Sequence, residues 1–315
     1  MEKIVFLDAA TVIAEIRKPS FAHDWISYPA TSTEQVVSRL QHATIAISNK
    51  VVLSRDALAQ LPKLKVIAIA ATGTNNVDLD YCRERGIVVC NIRNYSVHSV
   101  PEHVFMLTLA LRRNLLAFLD EVKNGAWQAS EQFCLFTHPV QDLFGSTLGI
   151  IGNGAIGNSV ATIAAAFGMK ILRAEHKGVT AVRPGYTAFD EVLKRSDVIT
   201  LHLPLNEQTR HLISTVEFEI MQRHALLINT ARGGLVDEVA LLQALRSGRI
   251  GGAGFDVLEK EPPKDGHTLL DLNLPNFIIT PHIAWSGRAA MQTLADMLID
   301  NIEAFVAGAP INRVA

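Results

Sequence analysis

The feature that most constrains the fold of this chain is a glycine-rich turn near its middle. A short apolar run, Leu148 to Ile151, leads into Gly152, Gly154 and Gly157, which have the spacing G-x-G-x-x-G. In such a turn the first glycine permits a tight bend, the second lets a phosphate approach the backbone, and the third brings the following helix close to the strand. Asn158 to Phe167 supplies the small apolar residues of that helix. The segment therefore predicts a strand, a turn and a helix that bind a dinucleotide.

An acidic residue is expected about 20 residues after such a turn, where it accepts hydrogen bonds from the adenosine ribose. Glu175 follows the run Lys170 to Ala174 and meets this requirement. A carboxylate there repels a 2′-phosphate and favours NAD over NADP, although Arg173, His176 and Lys177 weaken the discrimination. The cofactor contacts predicted at the turn are Gly152, Gly154, Ala155, Ile156 and Gly157.

Short β-branched runs alternate with helical periodicity along nearly the whole chain, which predicts α/β units with parallel sheets. The predicted strands are Ile4 to Leu7, Thr44 to Ser48, Val66 to Ala70, Thr147 to Ile151, Lys170 to Ala174, Asp197 to Leu201, Ala225 to Asn229 and Phe277 to Thr280. Because the glycine turn lies at mid-chain, another unit must fold before it. We predict a Rossmann nucleotide-binding domain, residues 99–285, inserted into a smaller flavodoxin-like α/β substrate domain, residues 1–98 and 286–315. One helix from Val100 to Lys123 and another from Gly287 to Gly308 are expected to connect them.

Composition and charge exclude several other classes of protein. The chain has 315 residues, 49% hydrophobic and 19% charged, with a net charge of -2, which is typical of a globular protein of two domains. No basic face or tail is apparent for nucleic acid. No apolar run reaches the roughly 20 residues of a membrane span, and no signal peptide is recognisable, so we expect a cytoplasmic protein. Three cysteines without paired spacing predict neither a disulfide framework nor a metal site.

The C-terminal half contains the residue types that reduction of a 2-keto acid requires. That reaction needs a cation for the carboxylate and a proton donor for the developing alkoxide. Arg232 follows one predicted strand, His282 follows another, and a loop between them carries Glu259 and Glu261. Ends of parallel strands are where α/β folds bind ligands, so these residues are candidates for one site.

In these segments the chain resembles the D-2-hydroxyacid dehydrogenase family, and within it the glycerate dehydrogenase, or hydroxypyruvate reductase, branch. The marks of the resemblance are Ala71 to Asn75, Val97 to His103, the glycine turn, His202 to Leu205 with Thr209, and the segments around Arg232, Glu261 and His282. It implies that Arg232 binds the substrate, that His282 is the acid/base and that Glu261, which precedes proline as in the family, stabilises protonated His282. The implied reaction is NADH-dependent reduction of a small 2-keto acid, such as hydroxypyruvate or glyoxylate, to the D-2-hydroxy acid, and its reverse.

The resemblance also implies contacts outside the catalytic segments. The amides of Thr72, Gly73 and Thr74 would hold the substrate carboxylate, and Lys50 would add charge or be an ordinary surface lysine. The remaining predicted cofactor contacts are Leu203, Pro204, Thr209, Thr230, Ala231 and Asp256. Members of the family form homodimers, so the same state is expected, with Trp127, Phe133 and Phe136 as apolar anchors.

Alternative functions stay open on the sequence. Some relatives with this fold are NAD-sensing binding proteins, and others reduce bulkier keto acids. Formate dehydrogenases use glutamine where Glu261 stands, which argues against that activity. Asn206 replaces a common threonine and Glu175 a common aspartate, which leaves contact details there open.

Overall fold

The computed structural model describes residues 1–315, which form two compact units. The first comprises Met1–Tyr95 and Ser286–Ala315, and the second comprises Ser96–Trp285. The second unit is therefore an insertion in the chain of the first. None of the helices combines the length and the apolar character that a membrane crossing requires.

The first unit contains a parallel five-stranded sheet in the order β2-β1-β3-β4-β5. Its elements are β1 (Glu2–Phe6), β2 (His23–Ser27), α1 (Val36–Leu40), β3 (Ile45–Ser48), α2 (Arg55–Ala59), β4 (Val66–Ile69), α3 (Leu79–Arg85), β5 (Val88–Cys90) and α10 (Arg288–Val306). Every residue of β3 and β4 is buried, as expected for strands covered on both faces. This strand order is the flavodoxin-like arrangement, which confirms the predicted class of the smaller domain.

The second unit contains a parallel six-stranded sheet in the order β11-β10-β9-β8-β6-β7. Its strands are β6 (Thr147–Ile151), β7 (Lys170–Arg173), β8 (Val198–Leu201), β9 (Leu226–Asn229), β10 (Gly252–Phe255) and β11 (Phe277–Ile279). Its helices are α4 (Ser99–Arg112), α5 (Leu115–Lys123), α6 (Ala155–Ala166), α7 (Phe189–Arg195), α8 (Thr215–Ile220) and α9 (Glu238–Arg246). Since β7 and β8 lie on opposite sides of β6, the strand order changes direction at β6. Ligands of open α/β sheets bind at the carboxyl ends of the strands at such a point.

Strands β2, β5 and β10 are absent from the sequence prediction. Strand β10 has the sequence Gly-Ala-Gly-Phe and lacks β-branched residues, so strand propensity does not predict it. Its glycines serve close packing instead, because a Cβ on Gly254 would lie 3.0 Å from the Cβ of Leu107 in α4. Strand β2 is an edge strand with partly exposed side chains, so its apolar pattern is weak.

The single helix predicted from Val100 to Lys123 is wrong, because the chain breaks into α4 and α5. Asn114 lies at the break with φ +49°, and its side-chain amide donates to the Pro139 carbonyl at 2.6 Å. Beyond it the same apolar periodicity no longer faces the core. Leu107 is fully buried in α4, whereas Leu119 in α5 is 56% exposed.

Candidate active site

The glycine turn follows β6 directly, and its three glycines have different physical reasons. Gly152 has φ +97°, and a Cβ there would overlap the carbonyl oxygen of His202. A Cβ on Gly157 would overlap the carbonyl oxygen of Gly152. At Gly154, by contrast, no atom lies within 4 Å of the Cβ position. Packing of the chain itself therefore requires the first and third glycines, while the second leaves open space beside the backbone.

Free amides follow this open space at the N-terminus of α6. Gly154 caps the helix, and no protein acceptor receives the amides of Ala155, Ile156 or Gly157. The first amide to be satisfied is that of Asn158, which donates to the Gly154 carbonyl at 3.0 Å. Free amides and the helix dipole together attract an anionic group. The turn and the helix thus fit the pyrophosphate of a dinucleotide.

The predicted ribose acceptor, Glu175, lies just beyond β7 but is already paired. Its side chain is almost fully buried, and Arg183 holds both of its oxygens, with Nε to Oε2 at 2.6 Å and Nη2 to Oε1 at 2.7 Å. These hydrogen bonds hold the pKa of Glu175 far below its usual range. The carboxylate is therefore ionised, and a guanidinium covers it.

The three catalytic candidates follow three neighbouring strands of the larger sheet. Arg232 comes after β9, Glu261 after β10 and His282 after β11, and these strands are adjacent in the sheet. The Nδ1 atom of His282 lies 2.7 Å from Oε2 of Glu261, and the amide of Leu258 donates to Oε1 at 2.9 Å. With Nδ1 paired, Nε2 of His282 is the ring atom available for another molecule.

The structure distinguishes the two glutamates of the β10 loop. Glu259 forms an ion pair with Arg210 at 2.5 Å, and its amide donates to Glu238 at 2.7 Å. Glu261 is the one that contacts His282. The preference for Glu261, which rested on the following proline, thus agrees with the geometry.

Asp256 organises the loop that carries His282, a role that the sequence did not reveal. Its side chain is 1% exposed and accepts the amides of Ile283 at 2.9 Å and Ala284 at 2.7 Å. The amide of His282 donates to the Asp256 carbonyl at 2.9 Å. His282 itself has φ +57°, a conformation that costs a non-glycine residue about 1–2 kcal/mol and needs such support. The Asp256 carboxylate, predicted as a cofactor contact, is used within the loop.

Hydrogen bonds fix the backbone of Arg232, whereas its guanidinium forms no ion pair with a carboxylate. The side chain of buried Asn229 donates to the Arg232 carbonyl at 2.8 Å and accepts the amide of Ala231 at 3.1 Å. The guanidinium makes one hydrogen bond, from Nη1 to the Ala231 carbonyl at 2.5 Å, and no ion pair. A Cβ on Gly233 would overlap the Leu258 backbone, so that glycine lets the Arg232 and Glu261 loops pack together. An unpaired arginine in this place can bind an anion.

The other predicted cofactor contacts differ in what their polar atoms do. Thr230 Oγ1 is buried and has no hydrogen-bond partner in the protein, which is unusual for a buried hydroxyl and leaves it available to a cofactor atom. Leu203 and Ala231 are partly buried and offer apolar surface. The Thr209 hydroxyl donates to the Pro204 carbonyl at 2.7 Å and accepts the amide of Asn206 at 2.8 Å, so it closes a turn.

In the first unit, the segment after β4 presents consecutive free amides. The amides of Thr72, Gly73 and Thr74 donate to no protein acceptor. The loop is held instead by the Thr72 hydroxyl, which donates to the Ile92 carbonyl at 2.7 Å, and by Asn91, whose side chain donates to the Thr72 carbonyl at 2.7 Å. Successive free amides of this kind form an anion-binding concavity.

Lys50 follows β3, and the backbone that carries it is anchored on a buried acid. Asp8 is 3% exposed and accepts the amides of Lys50 at 2.6 Å and Asn49 at 2.9 Å. Asp8 reads in the sequence only as an interruption after the first strand. Its role as a loop anchor depends on a contact about 40 residues away, which local patterns do not report.

Comparison with known proteins identifies the class of this site. Residues 105–284 match the family model of the D-isomer specific 2-hydroxyacid dehydrogenase NAD-binding domain. A glycerate dehydrogenase from Methylorubrum extorquens is 52% identical over 99% of this chain and 99% of its own length. The resemblance proposed from the sequence is confirmed. These similarities favour an enzyme over the NAD-sensing binding protein that the sequence left open.

Solved structures show the same fold over nearly the whole length. D-lactate dehydrogenase from Aquifex aeolicus, complexed with NAD and lactic acid, has a TM-score of 0.80 at 31% identity and covers 97% of this chain and 96% of its own. An acyclic imino acid reductase in complex with NADPH and D-Arg has a TM-score of 0.84 at 28% identity, with 99% of this chain and 100% of its own covered. The predicted fold class, a Rossmann domain together with a smaller α/β domain, is thus confirmed.

Proposed function

The chain belongs to the D-isomer specific 2-hydroxyacid dehydrogenase family and is an NAD-dependent oxidoreductase of that class, and from this premise we propose that it reduces hydroxypyruvate to D-glycerate. Glyoxylate is a second, smaller substrate of the proposed reaction, which also runs in reverse. The proposal rests on the 2.7 Å contact between His282 and Glu261. It also rests on the guanidinium of Arg232, which follows the adjacent strand β9 and forms no ion pair. The similarity to a glycerate dehydrogenase over the whole chain supports the choice of substrate.

The cofactor is held, in this proposal, by the larger unit. Open space at Gly154 and the free amides of α6 suit the pyrophosphate, and the orphaned hydroxyl of Thr230 suits a polar group of the nicotinamide half. Leu203, Pro204 and Ala231 supply the apolar surface around it. NADH, when bound, supplies the hydride. The smaller unit is accordingly the substrate domain.

His282 is the proposed proton donor for the carbonyl oxygen, acting through Nε2. Glu261 accepts from Nδ1 and stabilises the imidazolium, so that the protonated ring is ready before the alkoxide develops. The amide of Leu258 holds the second carboxylate oxygen and fixes the orientation of Glu261. Asp256 acts one step further away, because it fixes the loop on which His282 lies.

Arg232 is the proposed anchor of the substrate carboxylate and the carbonyl oxygen. Its planar guanidinium offers a fork of donors that matches a carboxylate, and it has no acidic partner to displace. The free amides of Thr72, Gly73 and Thr74 are a further proposed carboxylate site, and Lys50 adds positive charge in the same domain. Binding through amides needs no side chain, which leaves room for a small substrate.

The test of this function is a substrate panel with purified protein and NADH. Hydroxypyruvate should give the highest kcat/KM, glyoxylate a lower one, and keto acids with bulky side chains the lowest. A panel in which a bulky keto acid exceeds hydroxypyruvate would overturn the proposed substrate and leave the reaction class intact. Absence of turnover with every keto acid would favour an NAD-sensing binding protein instead of an enzyme.

A homodimer is proposed for the assembly, supported by apolar side chains that face solvent in the larger unit. Phe133 is 91%, Phe136 83% and Trp127 53% exposed, all between α5 and β6. Such a surface is unusual for a monomer. Light scattering on Phe136→Asp should show dissociation, while Val239→Asp, at a residue 66% exposed in α9, should keep the parental mass. A parental mass equal to one chain at all concentrations would contradict the dimer.

The three free cysteines support a proposed cytoplasmic location.

A further inference from the structure

The ribose end of the cofactor site presents a cation where an acid was expected. Glu175 lies at the position from which a carboxylate accepts the ribose hydroxyls, but its side chain is only 2% exposed. The side chain of Arg183 covers it and is itself 51% exposed. A ligand that approaches the end of β7 therefore meets the guanidinium before the carboxylate.

The carboxylate of Glu175 has no remaining capacity for a ribose hydroxyl. Besides Nε and Nη2 of Arg183, it accepts the amide of Arg183 at 3.2 Å and the amide and ring Nδ1 of His176, both at 2.9 Å. Five donors thus share two oxygens, whereas a carboxylate offers about four lone-pair sites. A ribose hydroxyl can donate to Glu175 only if Arg183 or His176 leaves.

Arg183 is fixed beside the glycine turn. Its guanidinium carbon lies 4.1 Å from the centre of the Tyr186 ring. The Tyr186 hydroxyl accepts the side-chain amide of Asn153 at 3.2 Å, and Asn153 stands between the first two glycines of the turn. Arg173 adds a second cation there, with Nε donating to the Asn153 side-chain oxygen at 3.0 Å. The charge on this side of the turn is therefore positive and preorganised.

One edge of the Arg183 guanidinium is left over. Nε and Nη2 face Glu175, while Nη1 makes no hydrogen bond to the protein. Lys177, in contrast, is committed to Glu217 at 2.7 Å and is not a competing cation. An arginine that keeps one edge on a buried carboxylate can offer its other edge to a phosphate oxygen without exposing an unpaired buried charge.

We propose that Arg183 is a specificity-determining residue that binds the 2′-phosphate of NADP(H), so that the protein accepts NADP(H) as well as NAD(H). The inference rests on the dinucleotide site of the proposed function but not on the identity of the keto acid. Glu175, neutralised by Arg183, loses the repulsion that would exclude a 2′-phosphate. With unphosphorylated ribose, Arg183 gains no new partner, so the two cofactors differ at this contact alone.

The test compares two nucleotides that lack nicotinamide, 2′,5′-ADP and 5′-AMP, by isothermal titration calorimetry. The parent protein should bind 2′,5′-ADP at least as tightly as 5′-AMP. Arg183→Ala should weaken 2′,5′-ADP by about 10- to 100-fold, the usual effect of losing a charge-assisted hydrogen bond, and should leave 5′-AMP unchanged or tighter. Arg183→Lys should recover part of the loss. These readings do not depend on turnover of any substrate.

Matched variants distinguish loss of the contact between Arg183 and the phosphate from a general loss of positive charge or of protein stability. Arg195→Ala removes an arginine at the end of α7, before β8 and thus at the opposite edge of the sheet, and should leave both affinities unchanged. Arg183→Ala with Glu175→Gln avoids an unpaired buried carboxylate and should still lack tight 2′,5′-ADP binding. Parental binding of 2′,5′-ADP more than 10-fold weaker than 5′-AMP, or equal 2′,5′-ADP affinities of parent and double variant, would overturn the proposal.

Discussion

Two glutamates at the carboxyl edge of the larger sheet, each bonded to a basic side chain, differ in what their pairing leaves available. Glu175 is buried under Arg183 and all of its acceptor capacity is used within the chain. Glu261 is 33% exposed and meets His282 through one oxygen, while Nε2 of His282 makes no hydrogen bond to the protein. A nitrogen of the basic partner is left over in both pairs, Nη1 of Arg183 and Nε2 of His282. A guanidinium keeps its protons and supplies a fixed charge, whereas an imidazolium can donate a proton to a substrate.

The strongest test of this difference removes the basic partner of the His282–Glu261 pair. His282→Ala should lower kcat for hydroxypyruvate reduction by the factor typical of a general acid, about 10²–10⁴, while NADH binding persists. The matched control is His224→Ala, because His224 forms an equally short pair, 2.7 Å from Asp197, at the opposite edge of the sheet. Its kcat should stay parental. Near-parental reduction by His282→Ala would end the assignment of His282 as proton donor.

Removing the unpaired cation should have the next largest effect. Arg232→Ala should both raise KM and lower kcat, with kcat/KM reduced about 100-fold, because the guanidinium holds the substrate before and during hydride transfer. Arg232→Lys keeps the charge without the planar fork and should recover only part of the activity. A change confined to kcat, with KM unchanged, would contradict the proposed carboxylate contact. Steady-state kinetics with NADH saturating give both constants.

The carboxylate of Glu261 should affect the pH profile of reduction more than its maximal rate. Reduction requires protonated His282, and Glu261→Gln removes the charge that stabilises this form, so activity should decline at lower pH than in the parent as pH rises. Glu259→Gln changes a neighbouring carboxylate that is bonded to Arg210 instead, and it should leave the profile in place. Rates measured across pH decide the matter. Superimposed profiles for Glu261→Gln and the parent would remove Glu261 from the mechanism.

The smallest effect is expected at the Glu175–Arg183 pair. Glu175→Ala removes a negative charge beside the ribose site, so the ratio of kcat/KM for NADPH to that for NADH should rise modestly. The rise is modest because Arg183 already neutralises the carboxylate in the parent. Competition kinetics with the two cofactors measure it. An unchanged or lowered ratio would show that the charge of Glu175 does not oppose NADPH binding.

Sequence patterns sufficed for the elements whose reasons are local. Most of the buried strands of both sheets were predicted from β-branched runs, and the glycine turn follows from its spacing and from the strand and helix around it. The preference for Glu261 over Glu259 came from the family resemblance, through the proline that follows Glu261, and it agrees with the contact to His282. Strand β10 was not predicted because its glycines are required by close packing, Gly254 against α4, a helix about 150 residues earlier in the chain, and Gly252 against the Asn276 backbone.

What the sequence by itself determined is therefore the class of fold, the family and the residue types of the site, because these rest on periodicity and on motifs of fixed spacing. Only the tertiary structure decided how each polar group is used. It assigned the Glu175 carboxylate to Arg183, gave the Asp256 carboxylate to the His282 loop, and left Thr230 Oγ1 without a partner. Hydrogen-bond capacity is shared among groups that folding brings together, and no periodicity in the chain records how it is divided.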